Sequence, residues 1–183
     1  MVLEPPNNEK LKEVYSIHPE YHPYRMPDGS KNPVFGRDDA RILDVKIDKK
    51  PAAITYFTQI IDDLACADIV VAVVPGHDPA SPGPSGIAIV AQRVASLNGR
   101  TDGTGLLVRH AKIEKLATGG RRELDIHLNS IRVTDKAKVL DGANVLLLDD
   151  VTTSNTSLLA CKQLLRAAGA RQVQMMALGR TVR

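Results

Sequence analysis

Asp149 and Asp150 stand side by side after four apolar residues, Val145-Leu-Leu-Leu148, and are followed by Val151-Thr-Thr-Ser-Asn-Thr-Ser157. The apolar run reads as a strand buried on both faces, and the hydroxyl-rich stretch reads as a turn that opens a helix. Backbone N–H groups at a helix N-terminus, joined by Thr and Ser hydroxyls, form an anion cradle suited to a phosphate monoester. The two carboxylates cannot hold that phosphate, because like charges repel. They can accept hydrogen bonds from vicinal sugar hydroxyls. Thr152, Thr153, Ser154, Asn155, Thr156 and Ser157 are therefore candidate phosphate ligands, and Asp149 and Asp150 candidate diol ligands. A site that takes a phosphate and, several ångströms away, a diol is shaped for ribose 5-phosphate.

The elements that must position this site follow from hydrophobic patterning. In Asp68 to Val74, all six residues after Asp68 are apolar and mostly β-branched, a run ended by Pro75 that reads as a second strand of the doubly buried kind. Pro75 to Gly86 holds four Pro and three Gly in twelve residues, which makes it a loop, and Ile87 to Leu97 resumes helical spacing. Arg41 to Ile47 alternates like a strand, Ala52 to Ala65 carries Ile54, Phe57, Ile61 and Leu64 at helical spacing, and Gly105 to Val108 and Ile131 to Val133 read as short strands. A helix over Ser157 to Ala168, closed by Gly169, leads into a last strand over Val173 to Leu178. Strands alternating with helices predict an α/β fold, a Rossmann-like, mostly parallel sheet with helices on both faces. In such sheets ligands lie beyond the carboxyl ends of the strands, which directs attention to the segments leaving Val74, Val108 and Leu148. Residues 1–40 are punctuated by six prolines and read as short extended pieces at the periphery, leaving 41–183 as the core domain.

The stretch Val145–Ser157 resembles the phosphoribosyl-pyrophosphate (PRPP) motif of the type I phosphoribosyltransferases, and is most similar to the competence-protein-F-like branch. The match runs over all 13 positions without a gap and departs at Asn155, where that family usually has Gly. The resemblance implies that Asp149 and Asp150 bind the ribose 2′- and 3′-hydroxyls and that Thr153 to Ser157 bind the 5′-phosphate. It places Pro75, Gly76 and His77 in a pyrophosphate loop, although no Lys or Arg occurs between Val70 and Gln92. Basic charge would then come from Arg109, Lys112, Arg121 and Arg122, in a loop hinged at Gly119-Gly120 that closes over the pyrophosphate. Residues 1–40 would form a hood over the acceptor, with Tyr15, His18, Tyr21, His22 and Tyr24 as an aromatic wall or simply as packing groups. The implied activity is transfer of phosphoribose from PRPP to a nitrogen nucleophile with release of pyrophosphate, assisted by Mg²⁺ bound mainly through the substrate. The acceptor is unspecified. Thr153 stands where purine-salvage members have an acid, which disfavours hypoxanthine or guanine. The alternatives are a PRPP- or nucleotide-binding regulatory module without catalysis and an accessory to DNA uptake or processing. Because a phosphate cradle between strand and helix needs one residue at positive φ, Asn155, the residue next most tolerant after Gly, is expected in the left-handed region.

Composition narrows the remaining options. The balance of 24 Lys+Arg against 21 Asp+Glu is too even for bulk attraction to nucleic acid or membranes, and 3% aromatic residues without Trp argues against a base-stacking platform. The basic tail Lys162, Arg166, Arg171, Arg180 and Arg183 reads as a solvated face, so nucleic acid is disfavoured as a partner, whereas a homodimer is compatible. Cys66 and Cys161 lack metal-ligand spacing and read as buried core thiols; no metal site is expected from side chains alone. The opening residues have neither a basic nor an apolar leader region, and the expectation is a cytoplasmic setting.

Overall fold

A computed structural model describes residues 1–4, 12–113 and 121–182. Seven strands occur among them: β1 (Val14–Tyr21), β2 (Val70–Val73), β3 (Thr101–Asp102), β4 (Leu107–Arg109), β5 (Ile131–Val133), β6 (Asn144–Thr152) and β7 (Gln172–Thr181). Five pair, all in parallel, in the order β1-β7-β6-β2-β3. The helices are α1 (Arg37–Leu43), continued by a π-helical turn over Asp44–Asp48, then α2 (Pro51–Leu64), α3 (Gly86–Ala95), α4 (Arg121–Ser130) and α5 (Thr156–Ala167).

Alternation along the strands decides the layering, since successive side chains point to opposite faces. Val71, Val73, Leu146, Leu148, Met176 and Leu178 enter a core with Ile42 and Val45 and with the buried stripes of α2 and α3. Val70, Ala72, Val145, Leu147, Val173 and Met175 enter a second core with Leu158, Cys161 and Leu165 of α5 and Leu140 of the 3₁₀ helix Asp135–Leu140. Leu146, Leu147 and Leu148 are fully buried, and each such side chain is worth about 1.5–3 kcal/mol relative to exposure. The result is the expected α/β fold, a parallel sheet covered by helices on both faces. Among the described residues, no helix is long and apolar enough to cross a membrane.

Several sequence expectations are corrected. Arg41 to Ile47 is helical, spanning the end of α1 and the π turn. Asp39 decides this locally, accepting the Gly36 N–H at 2.8 Å, and Ile42 and Val45 bury at helical spacing while Ile47 is left exposed. The Gly105–Val108 strand is shifted to β4, which pairs antiparallel with β5 in a separate two-stranded ribbon. The strand following α3 in the main sheet is instead β3, only two residues long, where Gly103 donates to the Val71 carbonyl at 2.9 Å and the chain then leaves the sheet. Within residues 1–40, Val14–Tyr21 joins the sheet as its edge strand beyond β7. Pro19 is tolerated there because its missing N–H falls on an edge, where the register also shifts between His18 and Tyr21. Tyr15, His18 and Tyr21 thus belong to a strand; Tyr21 is buried and His18 packs edge-on against Phe57. Arg121 and Arg122 open α4 and do not lie in a loop, while Gly119-Gly120 falls outside the described residues. Cys161 is buried as expected, but Cys66 follows the end of α2 and is only partly covered, 3.7 Å from a Glu4 carboxylate oxygen.

Candidate functional site

β2 and β6 are neighbours, yet the chain after β2 proceeds to β3 on one side and the chain after β6 to β7 on the other. That divergence leaves a crevice at the carboxyl ends of the two strands, the usual place for a ligand in an open parallel sheet. A cleft of about 710 Å³ opens there, walled by the loop leaving β2, by the segment from Asp149 to Ser157, and by Lys46, Lys49 and His127. A second cavity of about 720 Å³ lies alongside, near Lys136 and Asp135, and shares Pro84, Ala88 and Thr104 with the first. The first one contains the carboxylate pair and the hydroxyl-rich turn, and so carries the chemistry.

Asp149 and Asp150 lie near the carboxyl end of β6, where they line the cleft, and are held differently. Asp149 accepts from the Asp150 N–H at 2.9 Å and from the Ser157 hydroxyl at 3.2 Å. Asp150 accepts, on Oδ1, from the Val151 N–H at 2.6 Å and from the Lys46 ammonium at 2.9 Å. Burial and the adjacent Asp150 charge raise the pKa of Asp149 to about 7, against the pull of Lys46 and of its two hydrogen bonds. Burial lowers the pKa of Lys46, but the ion pair with Asp150, together with Asp149 and Tyr21, brings it above the ordinary value.

The turn that follows has the conformation the phosphate cradle requires. Asn155 sits at φ 62°, ψ 5°, and its carbonyl accepts the Leu159 N–H at 2.9 Å to start α5. Its side chain caps none of the α5 amides; Oδ1 accepts instead from the Thr152 hydroxyl at 2.9 Å. Thr152 is buried and its hydroxyl is used in fixing the turn, whereas Thr153 and Ser154 are exposed on the cleft wall. The Ser154 and Thr156 hydroxyls lie 2.7 Å apart, and no acid occurs in the first turn of α5. The helix N-terminus therefore faces the cleft with its positive dipole end unopposed by a carboxylate of its own first turn.

The loop leaving β2 brings Pro75, Gly76 and His77 to the cleft. A Cβ added at Gly76 would meet nothing within 4 Å, so there is open space over this stretch of backbone. Arg109 does not line the cleft. It is buried behind the loop, with its guanidinium donating to the Gly76 carbonyl, to the Pro75 carbonyl at 3.4 Å and to the Ser130 hydroxyl at 2.5 Å. Lys112 is likewise committed, in a 2.7 Å ion pair with Asp78 of the same loop. The side chains of Arg121 and Arg122 lie outside the described residues.

Lys46, Lys49 and His127 also line the cleft and are absent from the sequence reading. Lys46 is 104 positions from Asp150 and sits in a segment whose alternation imitates a strand; nothing local to it signals the pairing. His127 lies on α4, in a polar stretch to which the sequence reading assigned no element, and its Nδ1 is 3.4 Å from Arg109 Nη2. Helical spacing from Leu124 to Leu128 was the only available clue.

Among the described residues, no group of three His, Cys, Asp or Glu is placed to hold a metal ion by itself.

No family model and no curated protein matches the sequence. Solved structures with similarity include an allosteric regulatory enzyme of purine biosynthesis, 18% identical with a TM-score of 0.46, covering 68% of this chain and 25% of that one. A glutamine PRPP amidotransferase from B. subtilis, complexed with ADP and GMP, is 19% identical with a TM-score of 0.42, over 84% of this chain and 29% of its own. PRPP synthetase from Mycobacterium smegmatis is 23% identical with a TM-score of 0.37, over 71% and 32%. The matched regions thus span about a quarter to a third of those proteins.

Proposed function

We propose that this chain is phosphoribosyltransferase-like: it binds PRPP and transfers phosphoribose to a nitrogen nucleophile. The observation that carries the reading is the continuous unit formed by the Asp149-Asp150 pair and the left-handed Asn155 turn at the N-terminus of α5, set at the crevice between β2 and β6. In this reading the 5′-phosphate lies on the Thr153 to Ser157 cradle, the sugar hydroxyls on the carboxylates, and the diphosphate near Pro75, Gly76 and His77. The C1–O bond to diphosphate breaks, a C1–N bond forms, and the proton released from the nitrogen passes to solvent. The leaving group carries away the bonding electron pair. The protein contributes positioning and fixed dipoles where charge develops. Mg²⁺ would have to enter with the diphosphate, since no cluster of side chains among the described residues is placed to hold it, and would neutralise charge on the leaving group.

A second reading, a binding module without catalysis, is favoured by one specific observation: Arg109 is spent on the carbonyls of Pro75 and Gly76, so the loop's own candidate cation toward a diphosphate is His77. Titration calorimetry with PRPP and Mg²⁺, followed by a pyrophosphate-release assay with a panel of nitrogenous acceptors, separates the two. The Asp149→Asn/Asp150→Asn variant should bind PRPP at least tenfold more weakly, since charge-assisted hydrogen bonds are worth roughly 1.5–3 kcal/mol each. Unchanged affinity in the folded double variant removes the assignment of this site. Binding without pyrophosphate release favours the module.

A further inference from the structure

The carboxylate pair is asymmetric in a way that neither aspartate accounts for. Both oxygens of Asp149 are engaged from within the β6–α5 unit, by the Asp150 N–H and the Ser157 hydroxyl. Asp150 has one oxygen, Oδ1, taken by the Val151 N–H and the Lys46 ammonium, and Oδ2 makes no hydrogen bond among the described residues. The clamp comes from a distant element. Lys46 belongs to the π-helical turn, and that turn is seated against the start of α3 so closely that a Cβ on Gly86 would lie 1.8 Å from the Val45 carbonyl oxygen. Wider π-helical turns recur at functional sites, and here one delivers a lysine across the cleft to a carboxylate 104 residues away.

We propose that Lys46 is a positioning residue for recognition of the sugar: by gripping Oδ1 of Asp150 it orients that carboxylate so that Oδ2 accepts a ribose hydroxyl. This rests on the assignment of the cleft to ribose 5-phosphate recognition. Lys46 also supplies the cation that lets two adjacent carboxyl groups share a confined site. The charged and titratable groups around the pair are Lys46 and, behind it, Tyr21 from β1, with Arg109 and Cys161 near Asp149 on the other face. Asp39 also faces Tyr21. Removing Lys46 takes away a cation that lowers the pKa of Asp149, so Asp149 holds its proton more tightly and loses acceptor capacity near neutral pH.

The test compares the protein with its Lys46→Met and Lys46→Arg variants, using ribose 5-phosphate and inorganic phosphate as probes between pH 6 and 9. Inorganic phosphate occupies the cradle without presenting a diol. At pH 7, Lys46→Met should bind ribose 5-phosphate about tenfold more weakly while its affinity for inorganic phosphate changes less than twofold. The deficit should shrink as pH rises, and Lys46→Arg should recover most of it. A parallel loss for both probes makes Lys46 a general anion attractor and overturns the proposal. So does a ribose 5-phosphate deficit that Lys46→Arg does not recover, the mark of a residue that merely pins its turn. If the wild-type protein binds inorganic phosphate but gains nothing from the attached ribose, the diol assignment itself fails, an outcome distinct from failure of the Lys46 variants alone.

Discussion

At the scale of single residues, Asp149 couples the site to the stability of the whole chain. Its native pKa, raised to about 7, lies above the 3.8 of an unperturbed aspartate, so the folded state binds this proton more tightly than the unfolded state. The stabilisation this gives is complete below the unfolded value and disappears as pH rises through about 7. Asp149→Asn removes the titration. Urea unfolding should therefore find the variant gaining on wild type between pH 5 and pH 8, by on the order of 2–4 kcal/mol if Asp149 accounts for the whole shift. A difference constant with pH would mean that Asp149 is ionised in the free protein throughout. Asn155 makes the opposite kind of demand, on the backbone. At φ 62° a β-branched residue is strained by about 1–3 kcal/mol, whereas Gly is at ease. Asn155→Gly should retain binding of inorganic phosphate in a ³¹P NMR titration, and Asn155→Val should lose it. Retention by the valine variant would separate phosphate binding from this backbone conformation.

At the scale of elements, the site depends on contacts between segments that no local pattern announces. The strand, carboxylate and cradle order of Val145–Ser157 was readable because it is continuous in sequence, and the positive φ at Asn155 followed from the needs of the turn. Lys46 was not readable: Leu43, Val45 and Ile47 alternate as they would in a strand, and only the Asp39 cap and the burial of Ile42 with Val45 resolve the segment as helical. Arg109 was expected to bring positive charge to the pyrophosphate, but it is buried and its guanidinium acts toward the loop's carbonyls and away from the cleft. Gly86 is where these element contacts are most sensitive. Gly86→Ala would drive a Cβ into the Val45 carbonyl, so α3 or the π turn must move. Overpacking of this sort costs typically about 1–3 kcal/mol. The variant should lose that much in urea unfolding, and because Lys46 is the next residue in the displaced turn, its ribose 5-phosphate affinity should fall further than its affinity for inorganic phosphate. Wild-type stability in Gly86→Ala would show that the turn can yield without cost.

At the scale of the molecule, the α/β class and the two buried central strands were legible because a strand covered on both faces must be apolar throughout. Strand order and edge strands were not, since β3 has only two residues and β1 carries Pro19 and four titratable or aromatic side chains in place of an apolar run. The position of β1 has a temporal consequence. Its register pairs Val14 with Met175 and Tyr15 with Met176, and in the sheet β1 has β7 as its neighbour. As the polypeptide leaves the ribosome, β1 must wait for β7 before its backbone amides find the partners they have in the sheet, while the crevice between β2 and β6 can form as soon as β6 emerges. Contacts closed over so long a stretch of chain form slowly. During that interval β1 presents an unsatisfied hydrogen-bonding edge, the kind of segment on which nascent chains pair wrongly with one another.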